Sequence, residues 1–350
     1  MQRRESALTE MRVSPGARQT LMRFIVIPSW VIVGVMVLAF LAGFSVSGPI
    51  QYAPFAFSLI LFGLPHGAVD HLVPGRLSAG DASIGSIIAV AILYAVLATI
   101  YLVFWTFLPV AAFVFFILLT WFHWGQGDLY STVTLLRAQN PAPRTLKALM
   151  VVVRGGLPML VPLLAFPEAY RDVAESIVGL FSDDGGEILV FEPAFRLTAG
   201  IVFLVLALIT LSWGYFISSP QDTVAWAMDA AEVALLAAYF AVVPPVFALG
   251  MYFCLWHAPR HIARLMLLNR SSSNALQKGE FLPAMKDFVR DATPLTAVSL
   301  LLLVGLYFFV PRSVEGVAGL LALYLVLISA LTLPHVVIVG LMDRRQGLWR

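Results

Sequence analysis

Apolar runs of membrane-spanning length, about 20 residues, recur along the chain and are separated by short polar stretches. They predict ten helices, near 24–46, 50–71, 82–107, 109–136, 145–166, 193–217, 223–243, 246–268, 293–311 and 317–341. Two junctions are tight, at Leu108-Pro109 and Pro244-Pro245. Proline restricts its predecessor and removes a backbone donor, so both sites favour turns. The first run, Phe24 to Val46, exceeds the 7–15 residues of a signal-peptide core and reads as an uncleaved helix. The fold class is all-α, a polytopic transmembrane bundle with the segments 1–23 and 343–350 as tails around an integral membrane body at 24–342. The segment Arg270–Gly279 reads as a flexible loop.

Composition agrees. The chain is 60% hydrophobic and 12% charged, against about 25% charged residues in a soluble domain. Such a chain cannot cover a water-facing surface, and it suits the inner (plasma) membrane of a cell as a multi-pass protein. A net charge of +2 gives no basis for nucleic-acid binding. The single cysteine, Cys254, excludes an internal disulfide or a thiolate metal cluster.

Basic residues fix an expected orientation. They gather in the N-terminal tail (Arg3, Arg4, Arg12, Arg18, Arg23), after the fourth helix (Arg137, Arg144, Lys147), after the eighth (Arg270, Lys278, Lys286, Arg290) and at the C-terminus (Arg344, Arg345, Arg350). With ten helices all four lie on one side, and the positive-inside rule makes both termini cytoplasmic. The longest intervening loop, 167–192, is acidic, and nothing in it suggests a role.

All six histidines, His66, His71, His123, His257, His261 and His335, fall on or at the end of predicted helices. Ionisable groups at membrane depth are costly and usually face a bundle interior in a functional role. Counted from the helix starts at 1.5 Å per residue, His66, His123, His257, His261 and His335 share a slab about 10 Å thick in the cytoplasmic half, with His71 nearer the surface. His257 and His261 are spaced i, i+4, which puts both on one helix face, although Pro259 between them can kink the helix. Asp70 follows His66 by four residues and Asp128 follows His123 by five. Gly125 and Gly127 permit close backbone approach. Imidazoles without thiolates suit iron, zinc, copper or nickel. On the residues alone, a bis-histidine haem cytochrome stays open, as does a proton or metal transporter using Asp70, Asp128, Asp229 and Glu232. A membrane di-iron desaturase usually needs more histidines than six.

The motifs Gly63-Leu64-Pro65-His66-Gly67-Ala68-Val69-Asp70-His71, Phe122-His123-Trp124-Gly125-Gln126-Gly127-Asp128, Trp256-His257-Ala258-Pro259-Arg260-His261 and Leu333-Pro334-His335 resemble those of the bacteriorhodopsin-related (Brp/Blh) family of membrane β-carotene 15,15′-dioxygenases. The resemblance runs from the second to the last helix. It implies a non-haem Fe(II) enzyme that cuts the central double bond of β-carotene with dioxygen to give two retinals. Iron would be held by His66, His123, His257 and His261, with Asp70, His71, Asp128 and His335 supporting them. The substrate is a lipid-soluble rod, so entry from membrane lipid is expected, and a rhodopsin is a conceivable acceptor of retinal. Phe122, Trp124, Phe253 and Trp256 flank the ligand histidines and are the expected substrate walls.

Overall fold

The structure, a computed structural model, describes residues 13–78, 80, 82–137, 142–182 and 188–349. These form helices and turns with no β-strand among them. In chain order the helices are α1 (Pro15–Leu41), α2 (Gly48–Leu77), α3 (Ile84–Phe107), α4 (Pro109–Leu136), α5 (Arg144–Ala165), α6 (Pro167–Val178), α7 (Pro193–Ile217), α8 (Thr223–Val242), α9 (245–268), α10 (Arg270–Gln277), α11 (Phe281–Phe309) and α12 (Gly316–Arg345). Among the described residues, nine are long and apolar enough to cross a bilayer. The eighth expected span, α9, is an unbroken helical rod of similar length, but His257, Arg260, His261 and Arg264 make it too polar to count by composition. All four of these side chains are buried, so the polar helix is spared contact with lipid. The chain is therefore a multi-pass membrane protein. Its lipid-facing helices are recognisable by exposed apolar rows, as at Ile84, Ile88, Ile92 and Val96 on α3.

Several expected boundaries move, among them the ends of α1 at Leu41, of α2 at Leu77 and of α12 at Arg345. Helix α1 starts at Pro15, ahead of the apolar run, because the Ser14 side chain accepts from the Ala17 N–H and proline occupies the first turn, a favourable helix start. Helix α11 begins at Phe281, a dozen positions before the expected 293. The segment after Asn269 is a helix, α10, where a loop was expected: the Asn269 side chain accepts from the N–H groups of Ser271 and Ser272, and Ser272 and Leu276 are buried. The acidic stretch contains α6, whose Tyr170, Ala174, Ile177 and Val178 are buried against the bundle. Asp183, Asp184 and Glu187 lie outside the described residues, as do Arg3, Arg4 and Arg12.

The basic segments meet at one end of the molecule. Arg18 Nε donates to the Leu135 carbonyl at 2.6 Å, Thr20 Oγ1 to the Leu276 carbonyl at 2.9 Å, and Arg144 Nε to the Trp349 carbonyl at 2.6 Å. Ala17, Leu21, Leu135, Leu276 and Met342 share one hydrophobic cluster. The first and last described segments thus lie at the same end of the bundle.

Among the described residues four helices contain a wide, π-helical turn, and in three of them a proline follows; the fourth, Thr132–Leu136, ends α4. The turns Met22–Val26, Leu59–Gly63 and Phe253–His257 each end two residues before Pro28, Pro65 and Pro259. A proline ring presses on the carbonyl four residues back and offers it no N–H. That carbonyl belongs to Phe24, Leu61 and Leu255, the middle residue of each turn. Widening the turn moves it aside. Pro158, Pro162, Pro294 and Pro334 lie inside helices without such a turn.

Helices α4 and α5 cross at glycine. A Cβ at Gly125 would run into the Val151 backbone carbonyl, and one at Gly155 into that of Trp121. Neither obstacle is a side chain that can rotate away. Gly155→Ala is therefore expected to destabilise the protein by at least the ~1–3 kcal/mol typical of overpacking, read as a lower melting temperature of the detergent-extracted protein. An unchanged melting temperature would show that the two helices can part without cost.

Candidate metal centre

Histidines from four helices converge. His66 comes from α2, His123 from α4, His257 and His261 from α9, and His335 from α12. All five are at most 7% exposed. Ring centroids lie 4.8 Å apart for His123–His335, and 5.0 Å for His66–His335, His261–His335 and His123–His257. His66 lies 5.8 Å from His257 and 5.5 Å from His261. The wide turn at Phe253–His257 precedes Pro259 and absorbs its strain, so the i, i+4 pair keeps a common direction despite the proline.

The hydrogen-bond inventory of this cluster is nearly empty. His66 Nδ1 donates to its own helix, the Phe62 carbonyl, at 3.1 Å, and His335 Nδ1 donates to Asp70 Oδ2 at 2.7 Å. Both acceptors require the proton on Nδ1, which leaves Nε2 with its lone pair. Both nitrogens of His123 and of His261, and Nε2 of His257 and of His335, are buried with no partner. Orphaned buried polar atoms are rare and costly, and so many lone pairs pointing together fit a cation. Nitrogens of His66, His123 and His335 lie within 4.8 Å of one another, and a second group joins Asp70, His261 and His335. The donor set suits iron, and the residues present fit it.

Asp70 is drawn to the cluster as expected, but through His335 rather than His66. Its Oδ2 also accepts from Tyr94 of α3 at 2.6 Å. His71 lies apart: half-buried, it donates Nδ1 to the Ala68 carbonyl at 3.0 Å and makes no ring contact with the five.

Asp128 contacts no histidine. It belongs to a buried ionic group on the far side of Trp256: Arg154 donates to Asp128, Asp229 and Glu232, at 2.7, 2.5 and 3.0 Å. Arg260 donates to Glu232 at 2.5 Å and lies 3.8 Å over the Trp256 ring. Trp256 Nε1 donates to Asp128 at 3.0 Å, and Trp30 Nε1 to Glu232 at 2.6 Å. The members from α4, α5, α8 and α9 are all buried. Asp229 and Glu232 thus serve ion pairs. Arg154 was detectable in advance as a charge within the run Val151-Val152-Val153-Arg154-Gly155-Gly156, where an ionisable group signals a partner. Tyr94 carried no such signal.

Two of the four expected substrate walls face the histidines. The Trp124 ring is 5.3 Å from His257, and Phe253 is 5.6 Å from His257 and 5.5 Å from His66. Phe122 is 44% exposed and points outward, while Trp256 is turned into the ionic group. Neighbours on a helix differ by about 100°, so residues adjacent to a clustered histidine do not share its direction. Gly127 faces His257, where a Cβ would sit 3.4 Å from Cε1. An apolar groove of about 260 Å³ between α4, α5 and α7, lined by Ile117, Trp121 and Phe203 among others, opens on another face of α4 and includes none of the histidines.

A sequence profile described as beta-carotene 15,15′-dioxygenase matches residues 57–343. Among curated relatives, a probable beta-carotene 15,15′-dioxygenase Blh of Halobacterium salinarum is 42% identical over 95% of this chain and 96% of its own length. A probable beta-carotene 15,15′-dioxygenase Brp of the same species is 29% identical over 88% of each chain. A beta-carotene 15,15′-dioxygenase of uncultured marine bacterium 66A03 is 24% identical over 83% of this chain and 93% of its own. No solved structure matches.

Proposed function

Because this chain belongs to the β-carotene 15,15′-dioxygenase family, we propose that it cleaves the central double bond of β-carotene with dioxygen, at a non-haem Fe(II) held by His66, His123, His257 and His261, to give two molecules of retinal. The observation that carries the metal is the set of buried, unpartnered imidazole nitrogens converging from three helices. Bound iron would supply the activation of dioxygen that an all-organic site lacks. The protein's own residues do the rest. His66 is held in one tautomer by the Phe62 carbonyl, so its free lone pair is aimed before any ligand arrives. Trp124 and Phe253, ring centroids 5.9 Å apart, present flat apolar faces beside His257 and would fix which double bond of the polyene lies at the centre. Such positioning sets regiochemistry. Burial of all four ligands keeps water away from the reacting bond.

The substrate is soluble in lipid alone, so it enters from the bilayer, with membrane lipid as the surrounding partner. The shared location of the basic segments supports cytoplasmic termini by the positive-inside rule, in the plasma membrane. A rhodopsin is the kind of partner that would take up the product. Crowding of five rings argues against a haem, because the flanks of any histidine pair are filled by the others. The ion pairs of Asp229 and Glu232 argue against their use as a transport path.

The test is expression in bacteria that make β-carotene. Orange colour should fade and retinal should appear by chromatography. Undiminished β-carotene beside a membrane-inserted, iron-loaded protein would overturn the proposed substrate.

A further inference from the structure

We infer that His335 is a fifth metal-ligating histidine, fixed as a ligand by the chain Tyr94–Asp70. The inference rests on the proposed iron centre and deepens it. His335 lies within the cluster: its centroid lies 4.8 Å from His123 and 5.0 Å from both His66 and His261. One of its nitrogens lies within 4.8 Å of nitrogens of His66 and His123, and it also belongs to the second such group, with Asp70 and His261. A residue that only braced ligands from behind would stand outside the ring of lone pairs; His335 stands inside it.

Its tautomer is fixed in the sense a ligand needs. Asp70 Oδ2 accepts from His335 Nδ1, so the Nε2 lone pair is free, and that atom is buried without a partner. A metal-bound imidazole commonly donates its other N–H to a carboxylate, which fixes the ring and raises its basicity. Asp70 is itself held, accepting from the Tyr94 hydroxyl at 2.6 Å through the same oxygen. Three helices thus combine on one imidazole: α3 supplies Tyr94, α2 supplies Asp70 and α12 supplies His335. None of the other four histidines has a carboxylate partner among the hydrogen bonds of the described residues. Asp70 and Tyr94 are positioning residues, acting on the metal only through His335. Five protein nitrogens leave an octahedral ion one open position, where four leave two.

The experiment is X-ray absorption at the iron edge of the purified holoprotein, which reads the imidazole shell directly, alongside iron retention under chelator challenge. Wild-type protein should show five imidazoles. His335→Gln should show one fewer, with iron still bound by the rest. Asp70→Asn, which preserves shape, should keep the ring but weaken iron binding by about 10–100-fold, the usual effect of losing such a partner, and Tyr94→Phe should weaken it less. A shell of four imidazoles unchanged in His335→Gln would overturn the fifth ligand and leave the iron centre standing. Wild-type protein with no imidazole-ligated iron would overturn both.

Discussion

Replacing His261 by alanine is expected to abolish metal retention and retinal formation together. Loss of a partner one step removed from a metal typically costs about 10–100-fold in affinity or activity, and loss of a direct ligand should exceed that. His261 has no other employment: both its nitrogens are buried and unpaired, so no structural hydrogen bond is lost with it. The measurement pairs iron per protein with retinal produced. His71→Ala is the contrast, since that ring bonds only within its own helix and stands outside the cluster; it should leave both quantities nearly unchanged. A His261→Ala protein that still made retinal at the wild-type rate would sink the ligand assignment.

The second large effect is expected at Arg154. Its guanidinium serves Asp128, Asp229 and Glu232 and is 1% exposed. Arg154→Met would take from three buried carboxylates the one cation that pairs with all of them. Breaking a buried ion pair by removing one partner costs about 3–5 kcal/mol, so the variant should accumulate poorly in membranes and melt far lower than wild type. Adding Asp229→Asn removes one of those three carboxylate charges and should restore part of the loss. Such coupling between residues in contact is what a double-mutant cycle detects. Losses that simply add would show that the two groups do not depend on each other.

The contrast between those two sites shows what the sequence made legible. The histidine layer followed from span length, the rise per residue and a count from each helix start, because regular helices convert sequence position into depth. Depth alone does not give azimuth. Asp128 shares the depth of the cluster's end, yet Arg154 and Trp256 claim it. Phe122 and Trp256 sit beside clustered histidines in sequence and face elsewhere in space. Those outcomes depend on how helices are rotated about their axes, which is decided by tertiary packing such as the Gly125–Gly155 crossing. His335 was expected at the depth of the other four and given a supporting part; its place among them depends on α12 lying against α2 and α4, a neighbour relation no local pattern records. The helix at Arg270–Gln277 was hidden for a different reason. Its serines carry weak helix propensity, and its stability comes from the Asn269 cap and the contact of Leu276 with Thr20.

The wide turns beside Pro65 and Pro259 constrain how these helices can drift in evolution. A π-helical turn accommodates about one residue more than an α-helical one. Removing that surplus residue while keeping the proline would force its ring back onto a carbonyl. At these two turns proline and surplus residue are matched to each other, so a change in one favours a change in the other. A one-residue gap between relatives just before either histidine motif marks a change of helix type, not a shift of the histidines themselves.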